Sequence, residues 1–234
     1  MKQVLVTGGA HRLGAEIVRQ FAAAGWRVWC HYQRSQTAAT ALQAELRAQG
    51  AVVELVPSDL AKSADIERMM AHIAQVSGPL DCLVNNASLF EPDEGTDMDL
   101  PGARQQLEVN LIAPMLLASL MAQQSAPDAK SGQRSVVHIL DQKVFNLNPD
   151  YFSYTVSKLA LERAVALQAQ ALAQQTQQLA AQQALQAHKA LVALPGSQAL
   201  MVLQVLLVSK VLLVLKGFRV SKGLSELRDQ RVIP

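Results

Sequence analysis

Acidic side chains are missing from a long part of this 234-residue chain: no Asp or Glu occurs between Arg163 and Ser225. The overall charge of +2 therefore hides two unlike parts, with 13 basic and 17 acidic groups in residues 1–162 and 8 and 2 in residues 163–234. Cysteine is scarce as well. Cys30 and Cys82 are too few for a disulfide framework or a zinc cluster, and both lie in apolar runs. They are expected to be buried free thiols, which points to a reducing, cytoplasmic setting. The start of the chain, Met1-Lys2-Gln3, carries no apolar stretch of the signal-peptide kind. The near-neutral balance gives no case for nucleic acid as a partner. Wholesale disorder is excluded, because half of the residues are apolar. The length suits one domain with one substantial core.

What is present up to residue 162 alternates regularly. Short apolar runs at Gln3–Val6, Trp26–His31, Val52–Val56, Leu80–Val84 and Ser135–Leu140 read as strands. Helical patterns at Leu13–Ala24, Thr37–Gln49, Ser63–Gln75 and Pro101–Gln124 separate them, and a further helix begins near Phe152. Strands alternating with helices of this length predict βαβ units. The expected fold is α/β: a single Rossmann-like, doubly wound parallel sheet with helices on both faces. Its C-terminal third, rich in Ala and Gln and then in Leu and Val, is atypical.

The first strand runs into Thr7-Gly8-Gly9-Ala10-His11-Arg12-Leu13-Gly14 and then into a helix. A pyrophosphate needs backbone N–H groups and a helix N-terminus close at hand, so such a turn must lack bulky side chains. The position between a first strand and a first helix is the context that gives this glycine cluster its meaning. At the end of the second strand stands His31-Tyr32-Gln33-Arg34-Ser35. A guanidinium with a hydroxyl suits a 2′-phosphate, which a carboxylate would repel, so NADP(H) rather than NAD is the expected cofactor. Further along, Tyr154 and Lys158 are spaced i, i+4 and share one helical face. An ammonium there is expected to lower the tyrosine pKa and make the phenol a usable acid–base group.

The spacing Thr-Gly-x-x-x-Arg-x-Gly, followed at the proper distance by Tyr-x-x-x-Lys, resembles the short-chain dehydrogenase/reductase family over about residues 1–163. Arg12, where most members have glycine, resembles the pteridine reductase branch. The resemblance implies a cofactor site made of Gly8, Arg12, Leu13, Gly14, His31, Tyr32, Arg34, Ser35, Asp59, Leu60, Asn86, Ala87, Ser88, Tyr154 and Lys158. It implies Tyr154, Lys158, Asn110 and Asp141 as the catalytic set, with Asn110 organising a water near the lysine. The family's active-site serine is replaced by Asp141, as in pteridine reductases. A carboxyl beside the tyrosine helps deliver a proton to a ring nitrogen. Ser88 and Phe90 resemble that branch's substrate contacts, so the implied substrate site is Arg12, Ser88, Phe90, Asp141 and Tyr154, taking a dihydropteridine or dihydrofolate.

Beyond residue 163 the resemblance fades, and residues 164–234 diverge. The stretch Ala164–Ala190 is nearly all Ala, Gln and Leu and reads as a long helix. Pro195-Gly196 stands where the family would place a turn against the nicotinamide, although 41 residues after Tyr154 is far for that role. The run Ala199–Leu215 reads as a buried helix or strand pair; Lys210 in its middle argues against a membrane span. The tail is either an unusual folded replacement or the product of an altered reading frame. A homo-oligomer, a tetramer in the family, is a further expectation. Two rival readings remain open: a reductase of ketones or other carbonyls, and a catalytically weak NADP-binding interaction protein.

Overall fold

A computed structural model describes residues 1–124 and 134–192. The chain divides into two units, Met1–Leu172 and Ala173–Pro234. In the first, five strands form one sheet: β1 (Gln3–Val6), β2 (Arg27–Tyr32), β3 (Val53–Pro57), β4 (Cys82–Asn85) and β5 (Ser135–His138). Their order is β3-β2-β1-β4-β5, and every pairing is parallel. The doubly wound sheet expected from the alternating pattern is thus what the chain forms. Strands β1 and β4 are buried at all four positions each, because helices cover both faces of the sheet.

Alternation along β1 divides the core. Val4 and Val6 face helices α1 (Arg12–Ala23) and α2 (Gln36–Ala48), packing with Val18, Leu42 and Leu46. Leu5 faces the other way, toward α3 (Ser63–Ser77) and α5 (Ala113–Gln123), with Ile66, Ile73 and Leu117. Strand order reverses between β1 and β4. That reversal opens a crevice at the strand carboxyl ends, the place where open α/β sheets take ligands.

Three boundaries differ informatively from the sequence reading. Strand β4 begins at Cys82 rather than Leu80, since the Leu80 amide donates to the Gln124 side chain instead of entering the ladder. Strand β5 stops at His138, short of the expected Leu140. The helix expected over Pro101–Gln124 is α4 (Leu100–Leu107) and α5, joined by a π-helical turn over Glu108–Ile112. Pro114 has no N–H to give to the Asn110 carbonyl, so the α-helical ladder shifts at that point. Helix α6 (Phe152–Val192) runs for 41 residues, in keeping with the long helix read from the Ala/Gln composition. Pro195, Gly196 and the Leu/Val run lie outside the described residues. Cys30 and Cys82 are buried free thiols as expected; burial pushes them up to about 12 and about 11, with the Asp81 charge adding to the second. Among the described residues, no helix is long and apolar enough to cross a membrane.

Candidate active site

The turn after β1 accepts no added atoms where it matters. Gly8 adopts φ +62°, and a Cβ at Gly14 would overlap the Gly8 carbonyl oxygen. Arg12 also lies in the left-handed region, at φ +47°. This explains why glycine is the easier residue there and marks the arginine as a strained, and so functionally suspect, position. Helix α1 starts after His11 with no side-chain cap and no acid in its first turn. Its first amide groups are thereby left for an anion.

Thr7, which opens the glycine motif but is given no role by the sequence, splices the two strands that flank the crevice. Its hydroxyl accepts from the Asn86 and Ala87 amides at 2.9 and 3.0 Å, and the Asn86 side chain donates to the carbonyls of Thr7 and Gly8. A cleft of about 650 Å³ opens here, walled by Gly8, Arg12, Leu13, Gly14, His31 and Leu60 on one side and by Asn86, Ala87 and Ser88 on the other. Tyr32, Arg34 and Ser35 flank Gln33, which also walls the cleft and donates to Asp59 at 2.9 Å. Asp59 is further held by the Ala61 amide and by Lys62. Arg34 is exposed, and Ser35 caps α2 by position while its side chain makes no cap bond. Neither Arg12 nor Arg34 is ion-paired among the described residues.

The remaining site residues gather at β5 and α6. The Tyr154 hydroxyl donates to Asp141 Oδ2 at 2.7 Å. Burial and then the Asp141 contact and charge raise the Tyr154 pKa, with Ser88 working in the opposite direction. This reverses the expectation that Lys158 depresses it. The ammonium lies 5.7 Å from the phenol ring centre and donates to the Ile139 carbonyl at 3.0 Å, whereas the carboxylate touches the hydroxyl itself. Partial burial works to raise the Asp141 pKa; the Lys143 amide, the Tyr154 hydroxyl and the charges of Lys143 and Lys158 outweigh it and hold the carboxyl below its ordinary value. Burial lowers the Lys158 pKa, against the pull of Asp141.

Asp141 is oriented by a short 3-10 turn over Gln142–Val144, whose Lys143 amide donates to Asp141 Oδ1 at 2.9 Å. Phe90, which core packing would have buried, is instead 49 % exposed. Its ring stacks on Tyr151 at 4.0 Å and meets Tyr154 edge-on at 4.5 Å. Asn110 is fully buried in the π-helical turn and spends its side chain on structure. It accepts from the Leu89 amide and Ser88 hydroxyl, and donates to the Leu89 carbonyl and Ser157 Oγ. Ser157 in turn donates to the Tyr154 carbonyl at 2.6 Å. Ser157 and Tyr151 are further residues that the spacing argument missed; Ser157 sits inside the Tyr-x-x-x-Lys motif, and the positive φ of Tyr151 (+54°) has no sequence signature.

The sequence profile of the short chain dehydrogenase family matches residues 2–182. L-fucose dehydrogenase of Mus musculus is 32% identical over 140 residues, which is 59% of this chain and 48% of that protein. Pteridine reductase 1 of Leishmania tarentolae is 32% identical over 198 residues, 68% of this chain and 67% of that one. Among solved structures, FolM alternative dihydrofolate reductase 1 from Brucella suis, in complex with NADP, superposes with a TM-score of 0.68. It is 38% identical, covering 74% of this chain and 70% of that one. The chain thus spans about half the length of the first of these relatives and about two thirds of the other two.

Proposed function

Because this chain belongs to the short-chain dehydrogenase family, we propose that it is an NADPH-dependent reductase of a pterin-type substrate, a dihydropteridine or dihydrofolate. NADP(H) fits the cleft on the chain's own terms. A glycine cradle that a Cβ would fill lies against an uncapped helix start, and the guanidiniums of Arg12 and Arg34 carry no acidic partner among the described residues. In this reading Gly8, Gly14, Leu13, Asn86, Ala87 and Ser88 line the path of the dinucleotide. Arg34 and Ser35 take the 2′-phosphate.

The bound cofactor supplies the hydride. Tyr154 supplies the proton, and Lys158 steadies the phenolate as it forms. The observation that carries the substrate class is the 2.7 Å hydrogen bond from Tyr154 to Asp141, where the family ordinarily has serine. A carboxylate at that place keeps the phenol protonated until a stronger base arrives. A ring nitrogen gaining electron density beside a transferred hydride is such a base. A ketone oxygen would instead meet the carboxylate's negative charge. Phe90, half exposed and edge-on to Tyr154, offers its ring for stacking against a flat heterocycle, worth about 0.5–1.5 kcal/mol beyond area burial.

The test is a panel. NADPH oxidation is followed with dihydrobiopterin, with dihydrofolate and with simple ketones, each repeated with NADH. A pterin rate well above background and dependent on NADPH is the expected result. Turnover confined to ketones would give the chain to the carbonyl reductases, and NADPH binding without any turnover would make it an interaction protein.

A further inference from the structure

One buried ring at the heart of the cofactor cleft does more than line it. His31 is 2 % exposed and is the fifth residue of β2, the strand between β1 and β3. Ladder pairing of β1 with β2 ends at Val6–Cys30, just before the chain turns away toward α1. Past that point the Gly8 amide has no strand partner, and it donates to His31 Nδ1 at 3.0 Å. The Gly9 amide donates to the His31 carbonyl at 2.9 Å. On the other side, His31 Nε2 lies 3.1 Å from the Ser58 carbonyl, one residue before Asp59.

The chemistry of the two neighbours fixes the ring's protonation. A backbone N–H can only donate and a backbone C=O can only accept, so Nδ1 must be bare and Nε2 must carry the proton. An imidazolium would set two N–H groups against each other at Gly8. Both glycine amides being spent on His31, the donors left for a phosphate are those further along the turn and in the first turn of α1. We infer that His31 is a positioning residue: as a neutral imidazole in one tautomer, it clamps the glycine turn to the β3–α3 loop and so holds the phosphate-binding backbone in its NADPH-ready form. His31 acts through the Gly8 backbone and needs no contact with the cofactor. The inference rests on NADPH binding alone and is independent of which substrate is reduced.

No single substitute supplies both ends. Asn places an acceptor near Gly8, Gln places a donor near Ser58, and Leu offers neither. NADPH binding is read by the change in its fluorescence without substrate, on His31→Leu, His31→Asn and His31→Gln beside the wild type, with melting temperatures recorded alongside. Losing the Gly8 bond frees the turn from the ring and leaves the partly buried Gly8 amide without its partner, so His31→Leu weakens NADPH roughly tenfold or more. Asn restores part of the loss, and KM for NADPH rises by more than kcat falls. A folded His31→Leu variant with unchanged NADPH affinity overturns the inference, as does equal weakening by Leu and Asn. Should the Leu variant fail to fold, nitrogen NMR of the wild-type ring at neutral pH decides. A bare Nδ1 with a protonated Nε2 supports the clamp, and the opposite tautomer or an imidazolium overturns it.

Discussion

Where β1, β2 and β3 end, glycines and backbone amides hold the site together; where β5 and α6 meet, charged side chains do. In the first half Gly8, Gly9 and Gly14 leave no room for another atom, and the Thr7 and His31 side chains bond to main chain. In the second half burial, and then the contacts among one carboxylate, one phenol and one ammonium, set the protonation of each. A site built on backbone recognises what all its ligands share, here a dinucleotide phosphate. A site built on side chains changes its chemistry with one substitution. This division lets a family keep its cofactor while varying its substrate.

The sharpest separation of the halves is Tyr154→Phe. In the proposed mechanism the phenol hydroxyl is the proton donor, so turnover is expected to fall on the order of 10²–10⁴-fold, while NADPH affinity, measured by fluorescence titration, stays within a few-fold. Turnover near wild type would remove Tyr154 from the mechanism. Next in size is Gly14→Ala, which breaks the other half. The new methyl overlaps the Gly8 carbonyl, and NADPH affinity drops about a hundredfold, about 2.7 kcal/mol, in a protein whose melting curve remains cooperative. Arg34→Ala removes one charge from the cofactor half and leaves the turn intact. The preference for NADPH over NADH then falls about tenfold, in line with one lost charge-assisted hydrogen bond; an unchanged preference would put the 2′-phosphate elsewhere.

A smaller effect sharpens the catalytic half. Burial, and then the Asp141 contact and charge, hold the Tyr154 proton on, so the tyrosine pKa lies above its ordinary value of about 10. An acid must be protonated to act, and the alkaline limb of kcat/KM therefore lies at higher pH than an unperturbed tyrosine would give. Asp141→Asn removes the anion and moves that limb to lower pH. Tyrosinate absorbance in an alkaline titration reports the same shift; a limb that stays put would mean that burial alone sets it.

Much of the backbone-built half was legible in the sequence. A short apolar run, a glycine cluster and an amphipathic helix in that order admit few arrangements, and β1 and α1 fell within a residue of their expected bounds. The strained φ of Arg12 and the two ring hydrogen bonds of His31 were not legible, because they depend on where β2 ends relative to β1. The side-chain half was legible in its membership and not in its electrostatics. Spacing places Lys158 one turn from Tyr154, yet the charged group that touches the phenol is Asp141, which the Gln142–Val144 turn swings against it and which adds to the effect of burial. Periodicity likewise read α4 and α5 as one helix, and only Pro114 signalled the π-helical turn that buries Asn110.

The claim that the Asp141–Tyr154 pair selects a ring nitrogen over a carbonyl oxygen is tested most directly by the ratio of kcat/KM for dihydrobiopterin to that for a ketone, in the wild type and in Asp141→Ser. The account predicts that the ratio favours the pterin in the wild type and falls at least about tenfold, or about 1.4 kcal/mol, with serine. A ratio that serine leaves unchanged would contradict it.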